Sequence, residues 1–125
     1  MRKAILWASI LVPFTFASAA YAAGDAKLGK RQAGVCTSCH TFGAGEPAKV
    51  GPNLHGIIGR KAGSVADYTY SDGMKKAGFV WDEAHLDKYL TNPQGLVPGN
   101  KMQFPGFPKE DARANVIAYL KEISQ

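Results

Sequence analysis

Cys36-Thr37-Ser38-Cys39-His40 decides the reading of this chain. A C-x-x-C-H run has the spacing of a covalent haem attachment site. Two thiols at this separation reach the two vinyl groups on one edge of a haem and form thioethers. The histidine that comes directly after them then lies under the iron. Cys36 and Cys39 are the only cysteines in the chain, so one haem c is the maximum.

The same pair has other uses. A thioredoxin-type couple needs a strand entering the motif and a helix leaving it, whereas Gly43 and Gly45 come next here and indicate a loop. Half of a zinc site needs a second Cys/His pair, which the sequence does not offer. A disulfide across so short a loop stabilises little. Haem attachment is the reading that remains.

Residues 1–22 read as a secretory signal peptide. Arg2 and Lys3 form a basic head, an apolar run covers 4–16, and small residues lead to Ala20-Tyr21-Ala22, an A-x-A cleavage pattern. The run is short for a membrane span of ~20 residues, which favours cleavage after Ala22 or Ala23 over a retained anchor. Thioether formation takes place outside the cytoplasm, so leader and motif agree on the bacterial periplasm. What remains, 23–125, is one small domain. A domain that small buries limited apolar surface, and a covalently held haem adds a large apolar plate to its core. The formal charge of +5 falls to about +3 without Arg2 and Lys3. With no run of like charges and no aromatic ladder, nothing suits nucleic acid.

The patterning is helical. A first helix is expected over 25–35, with Asp25 near its start and Gly34 weakening its end. Residues 41–64 are loop, punctuated by glycines and prolines. Ser71 can cap a short helix to about Ala77, and Asp82 a second from Glu83 to Thr91, which Asn92-Pro93 ends. Residues 96–107 form another loop. The last helix opens on 108–110 and carries Ala112, Val116, Tyr119, Leu120 and Ile123 at helical spacing. No strand pattern emerges.

His40 supplies one axial ligand. For the other, Met102 ends Val97-Pro98-Gly99-Asn100-Lys101-Met102, a loop whose proline and glycine can aim a sulfur at a haem face. Met74 lies on an expected helix and suits core packing. A thioether favours ferrous iron and raises the reduction potential. Two strong ligands also close the iron to small molecules, which suits electron transfer rather than bond chemistry.

In this arrangement the chain resembles the class I cytochromes c, the mitochondrial cytochrome c and bacterial cytochrome c2 (c550) group. The resemblance spans 24–123. It is carried by the attachment motif, Gly51-Pro52-Asn53-Leu54-His55-Gly56, Gly59-Arg60, Tyr68-Thr69-Tyr70, Trp81, Tyr89-Leu90, Asn92-Pro93, Pro98-Gly99-Asn100-Lys101-Met102, Phe104 and Ile117-Ala118-Tyr119-Leu120. It implies an all-α class I cytochrome c fold, helices and long loops wrapped around one haem. It implies that the Pro52 carbonyl accepts from the free ring N–H of His40. Arg60, Tyr70, Trp81 and Asn100 would surround the propionates, Tyr89 would approach the Met102 sulfur, and Phe104 would cover the haem edge.

Three departures stand out. The stretch from Gly29 to Cys36 is one residue short of the common pattern, and Ala33 stands near where an aromatic usually packs, so a looser contact of Gly29 against Tyr119 is expected. Val35, Gln94 and Gly95 occupy positions where the mitochondrial type carries lysines; Lys30, Lys49 and Lys101 remain. Met74 replaces a polar residue that often holds a buried water. The resemblance implies a monomeric electron carrier, not an enzyme. Its partners would be redox proteins: a bc1-type complex, a terminal oxidase or reductase, a reaction centre or a dehydrogenase.

Overall fold

The computed structural model describes residues 23–125, and the signal-peptide reading of 1–22 lies outside them. Among the described residues five α-helices occur in order: α1 (Ala26–Gln32), α2 (Asp72–Lys76), α3 (Glu83–Thr91), α4 (Pro93–Leu96) and α5 (Glu110–Glu122). A 3-10 turn, Ala33–Cys36, extends α1 into the attachment motif. Among the described residues the only β-type pairing is the isolated bridge between Lys61 and Val80. The all-α expectation therefore holds.

Local chemistry starts three of the helices where the sequence indicated. Asp25, Ser71 and Asp82 each sit in extended backbone and accept, through their side chains, from the amides of Leu28, Met74 and His85. Such caps satisfy amides that have no intrahelical partner. Leu86, Tyr89 and Leu90 face the core from α3, as their spacing predicts.

Three points depart from the sequence reading. First, Asn92-Pro93 ends α3 at Thr91 as expected, but it also starts α4, a helix that reading does not include. Pro93 takes the first turn, where its missing N–H costs nothing, and the Asn92 side chain accepts from Gly95 N–H. Second, α5 starts at Glu110. Lys109 is extended, and the Phe107 and Pro108 carbonyls before it accept from Arg113 Nη1.

The third point concerns the short stretch before the motif. Gly29 packs against the backbone of Asn115 and Val116, and the crossing is not loose. A Cβ on Gly29 would lie 1.8 Å from the Asn115 carbonyl oxygen, so the two backbones touch. Asp25 N–H also donates to Asn115 Oδ1 at 2.7 Å. Beyond α1 the chain reaches Cys36 through the 3-10 turn Ala33–Cys36, which rises about 2.0 Å per residue against 1.5 Å for an α-helix. Ala33 is buried, and an aromatic comes from elsewhere: Phe42 packs on Tyr119 with centroids 5.8 Å apart.

The crossing of α1 and α5 forms one end of the core, where Val116, Ile117 and Leu120 are buried. Trp81, Leu86, Tyr89, Leu90 and Met74 continue it towards the long loops. Each such side chain contributes about 1.5–3 kcal/mol by leaving water. Between these elements and the segments 36–60 and 97–104 lies a cleft.

Candidate functional site

That cleft has a volume of about 260 Å³ and is predominantly apolar. Every residue singled out from the sequence lines it: Cys36, Cys39, His40, Pro52, Arg60, Tyr70, Trp81, Tyr89, Asn100, Met102 and Phe104. They come from segments up to 68 positions apart in number, from Cys36 to Phe104. Only the fold assembles them.

The motif wall is built by backbone pairing. Gly51 N–H donates to the Cys39 carbonyl at 2.7 Å, and Leu54 N–H to the Thr41 carbonyl at 2.9 Å. These bonds flank His40 and Pro52 and hold them together. Nδ1 of His40 lies 2.7 Å from the Pro52 carbonyl. A carbonyl only accepts, so Nδ1 carries the hydrogen and Nε2 keeps its lone pair. Burial lowers the pKa of His40, assisted by the charges of Arg60 and Lys49 and opposed by the bond to Pro52. A neutral imidazole with a free, oriented Nε2 is what metal ligation requires. Cys36 and Cys39 are free thiols on the same wall, and burial, then Cys39, push the Cys36 thiol up.

The loop after α4 also lines the site. Asn100 N–H donates to the Val97 carbonyl at 3.2 Å, closing a turn with Pro98 second and Gly99 third at φ +75°. This is the type II pattern, in which the third residue must take a positive φ. The buried Asn100 side chain braces the loop on both sides of itself. Its Nδ2 donates to Val97 O at 2.8 Å, and its Oδ1 accepts from Met102 N–H at 2.9 Å. Tyr89 Oη donates to the same oxygen at 3.3 Å. The phenol therefore reaches Met102 through Asn100. Burial holds the Tyr89 hydroxyl far above the usual phenol range, so it stays protonated.

A third set of groups supplies donors. Arg60 donates to the His55 and Asn53 carbonyls at 3.3 and 2.9 Å. Tyr70 Oη accepts from Val65 N–H at 3.2 Å, leaving its own hydrogen free to donate. Trp81 is buried against Phe79 and Tyr89, with ring centroids 4.8 and 5.0 Å away. Phe104 packs edge-on against Phe107 at 5.0 Å. Met74 is buried and lines the cleft, so its side chain makes that part of the wall apolar.

Sequence reasoning misses two supports of the site. Asn53 donates to the Gly43 and Glu46 carbonyls at 2.8 Å each and accepts from His55 N–H at 2.6 Å, fixing the loop that carries Pro52. Lys49 Nζ donates to the Thr37 carbonyl at 2.8 Å, across the attachment motif. An asparagine after Gly-Pro is a turn signal, but its partners depend on the loop returning.

The donor set fits a haem. Two free thiols sit beside an imidazole with one free nitrogen, a thioether ends a braced loop, and phenol, guanidinium and indole groups border an apolar cleft. This is an all-α protein whose apolar cleft is bordered by metal-ligating side chains from two separate loops.

Comparison with known proteins agrees. The cytochrome c family model matches residues 26–124. Cytochrome c2 of Rhodomicrobium vannielii is 45% identical over 94% of this chain and 94% of its own length. Cytochrome c2 of Rhodoblastus acidophilus is 46% identical over 81% of this chain and 94% of its own. Cytochrome c of Theileria parva is 53% identical over 71% of this chain and 76% of its own. The chain belongs to the cytochrome c family. It is accordingly a haem c electron carrier and not an enzyme, with Cys36 and Cys39 at the attachment spacing.

Proposed function

We propose that the mature chain, 23–125, is a soluble monomeric one-electron carrier of the bacterial periplasm, with the iron held by His40 and Met102. Haem c supplies a one-electron ferric/ferrous couple. The protein's part is to hold it, set its potential and keep water away. Cys36 and Cys39 would hold the macrocycle by thioethers. His40 would ligate through Nε2, oriented by Pro52, and Met102 would close the other face. Arg60, Tyr70, Trp81 and Asn100 would receive the propionates, whose charge is costly in a dry site without donors. Tyr89 would act on the Met102 loop through Asn100, and Phe104 would shield the edge.

The observation that carries this reading is the sharing of one cleft by His40, with its free Nε2, and Met102, at the end of a braced turn. The leader 1–22 supports export and then cleavage. The relatives named cytochrome c2 support a bacterial setting, although mitochondrial-type relatives match as well. Among the described residues no helix is long and apolar enough to cross a membrane. Electrons would pass between redox proteins such as a bc1-type complex, a terminal oxidase or reductase, a reaction centre or a dehydrogenase.

Absorption spectra of the mature holoprotein test the ligation. A sulfur-to-iron charge-transfer band in the ferric form, lost in Met102→Ala, is expected. Absence of the band at neutral pH, with carbon monoxide binding to the ferrous form, would overturn it and point to an open iron.

A further inference from the structure

The side chain of Gln94 grips the turn before Met102 from both sides of one peptide link. Its Nε2 donates to the Asn100 carbonyl at 3.0 Å, and its Oε1 accepts from Gly99 N–H at 3.0 Å. One planar amide thus engages two consecutive residues of the loop, with both partners at ordinary hydrogen-bond distance. At a position where the related mitochondrial proteins carry lysine, this chain has a group that both donates and accepts. A lysine has no acceptor to offer Gly99.

The base of this grip is rigid. Gln94 is the second residue of α4, directly after Pro93, whose side chain is fully buried. Asn92 caps the helix through Gly95 N–H, and a Cβ on Gly95 would stand 2.7 Å from Asn92 Nδ2, so this turn has no slack. Val97, where α4 ends and the loop begins, is buried as well. The loop is also tied by the turn bond from Asn100 N–H to Val97, by Tyr89 Oη on Asn100 Oδ1 and by Lys101 Nζ on the Thr69 carbonyl. Pro98, Gly99 and Lys101 are exposed. Inside, the Asn100 carboxamide holds Val97 and Met102. Outside, Gln94 holds Gly99 and Asn100. The two amides clasp the turn from its inner and outer faces.

We infer that Gln94 is a positioning residue that holds the 97–102 loop closed and thereby keeps Met102 in place over the iron. The inference rests on Met102 being an axial ligand. Opening the loop to let another base reach the iron must break both Gln94 bonds. Removing them lowers the free-energy cost of opening without touching the ligand, the cleft or the core.

Two measurements on the ferric holoprotein test it, with wild type, Gln94→Leu and Gln94→Glu compared. The first is hydrogen exchange of the Gly99 amide. Wild type and Gln94→Glu, which keeps an acceptor for Gly99, should protect it, and Gln94→Leu should exchange at least about tenfold faster. The second is the apparent affinity for added imidazole, read by loss of the sulfur-to-iron band. It should rise about tenfold in Gln94→Leu and less in Gln94→Glu, which loses the donor to Asn100. The thermal midpoint of global unfolding should move little, since Gln94 is exposed. Equal imidazole affinity in all three proteins overturns the inference, even where Gly99 exchange differs. A fall in global stability that accounts for the whole change in affinity also overturns it. If Gln94→Leu does not fold, Gln94→Glu carries the affinity test alone. A wild type with no sulfur-to-iron band refutes Met102 ligation instead, and the Gly99 exchange pattern then reports the clasp separately.

Discussion

Gly51 lies so close under the ring of His40 that a Cβ built on it would stand 2.5 Å from Cε1. The imidazole rests on bare backbone, while Nδ1 holds the neighbouring Pro52 carbonyl. Gly51→Ala must displace either the ring or the chain. Overpacking of this kind costs about 1–3 kcal/mol. The holoprotein should lose that much in denaturant unfolding, with an altered ferric spectrum. An unchanged spectrum and midpoint would mean the ring moves aside freely.

The crossing of α1 and α5 gives a paired test. Gly29→Ala drives a methyl into the Asn115 carbonyl, a contact between two backbones that no rotamer change relieves. A loss of about 3 kcal/mol is expected. Five residues on, Gly34 has nothing within 4 Å of its Cβ direction and no positive φ. Gly34→Ala should be neutral or stabilising by up to about 1 kcal/mol. Similar effects at both sites in urea titrations would sink the account of the close crossing.

Arg113 ties three parts of the chain. Its Nε donates to Asp87 of α3 at 2.7 Å and its Nη1 to the Phe107 carbonyl at 2.9 Å. The side chains are 11% and 19% exposed, so this pair is screened less than a surface pair. Arg113→Ala strands a largely buried carboxylate and should cost about 2–3 kcal/mol. The thermal midpoint is the readout, and a shift within error would show that water replaces the guanidinium.

Asp82 sets an acid-side pH dependence. Bonds from the backbone and side chain of His85, chiefly the backbone one, hold its carboxyl below the ordinary range. The folded state thus binds this proton less readily than the unfolded chain. The stabilisation is fully present above the unfolded pKa and is lost as pH falls through the lower folded one. Asp82→Ala should cost about 1 kcal/mol at pH 7 as a lost cap. Its stability should also fall less steeply with acid than that of wild type. Parallel curves of unfolding midpoint against pH would remove Asp82 from the acid response.

The rim of the cleft predicts how partners meet it. Only three lysines are left near the edge, and two of them, Lys49 and Lys101, are tethered to the Thr37 and Thr69 carbonyls, which fixes their charges in place without neutralising them. Val35 and Val50, 61% and 73% exposed, line the same mouth. Strong electrostatic steering changes association rates by 10–10³-fold with salt. Here electron transfer with a bc1-type complex should slow by less than about threefold as salt rises, far below that range. A steep decline would restore the basic ring as the main guide.

The sequence is most legible where a local rule operates. Asp25, Ser71 and Asp82 announce their helices because a cap is a contact over three residues. The attachment motif and the Pro-Gly turn before Met102 are legible for the same reason. At Asn92-Pro93 the rule that a proline ends a helix and the rule that it opens one both apply: α3 ends at Thr91, as expected, and α4 starts at Pro93, whose buried ring no local signal announces. Gln94 is visible only as an absent lysine, since both its bonds go to residues that return through a turn.

By itself the sequence determined one covalent haem, the helical class, the starts of three helices and the candidate ligands, all set by chemistry within a few residues. The tertiary structure decided how closely α1 and α5 cross, how Arg113 joins α3 to the approach to α5, and which amides clasp the Met102 loop. The first two join residues distant in sequence and the third needs a turn to bring a loop back, and such partners are specified by how the whole chain packs.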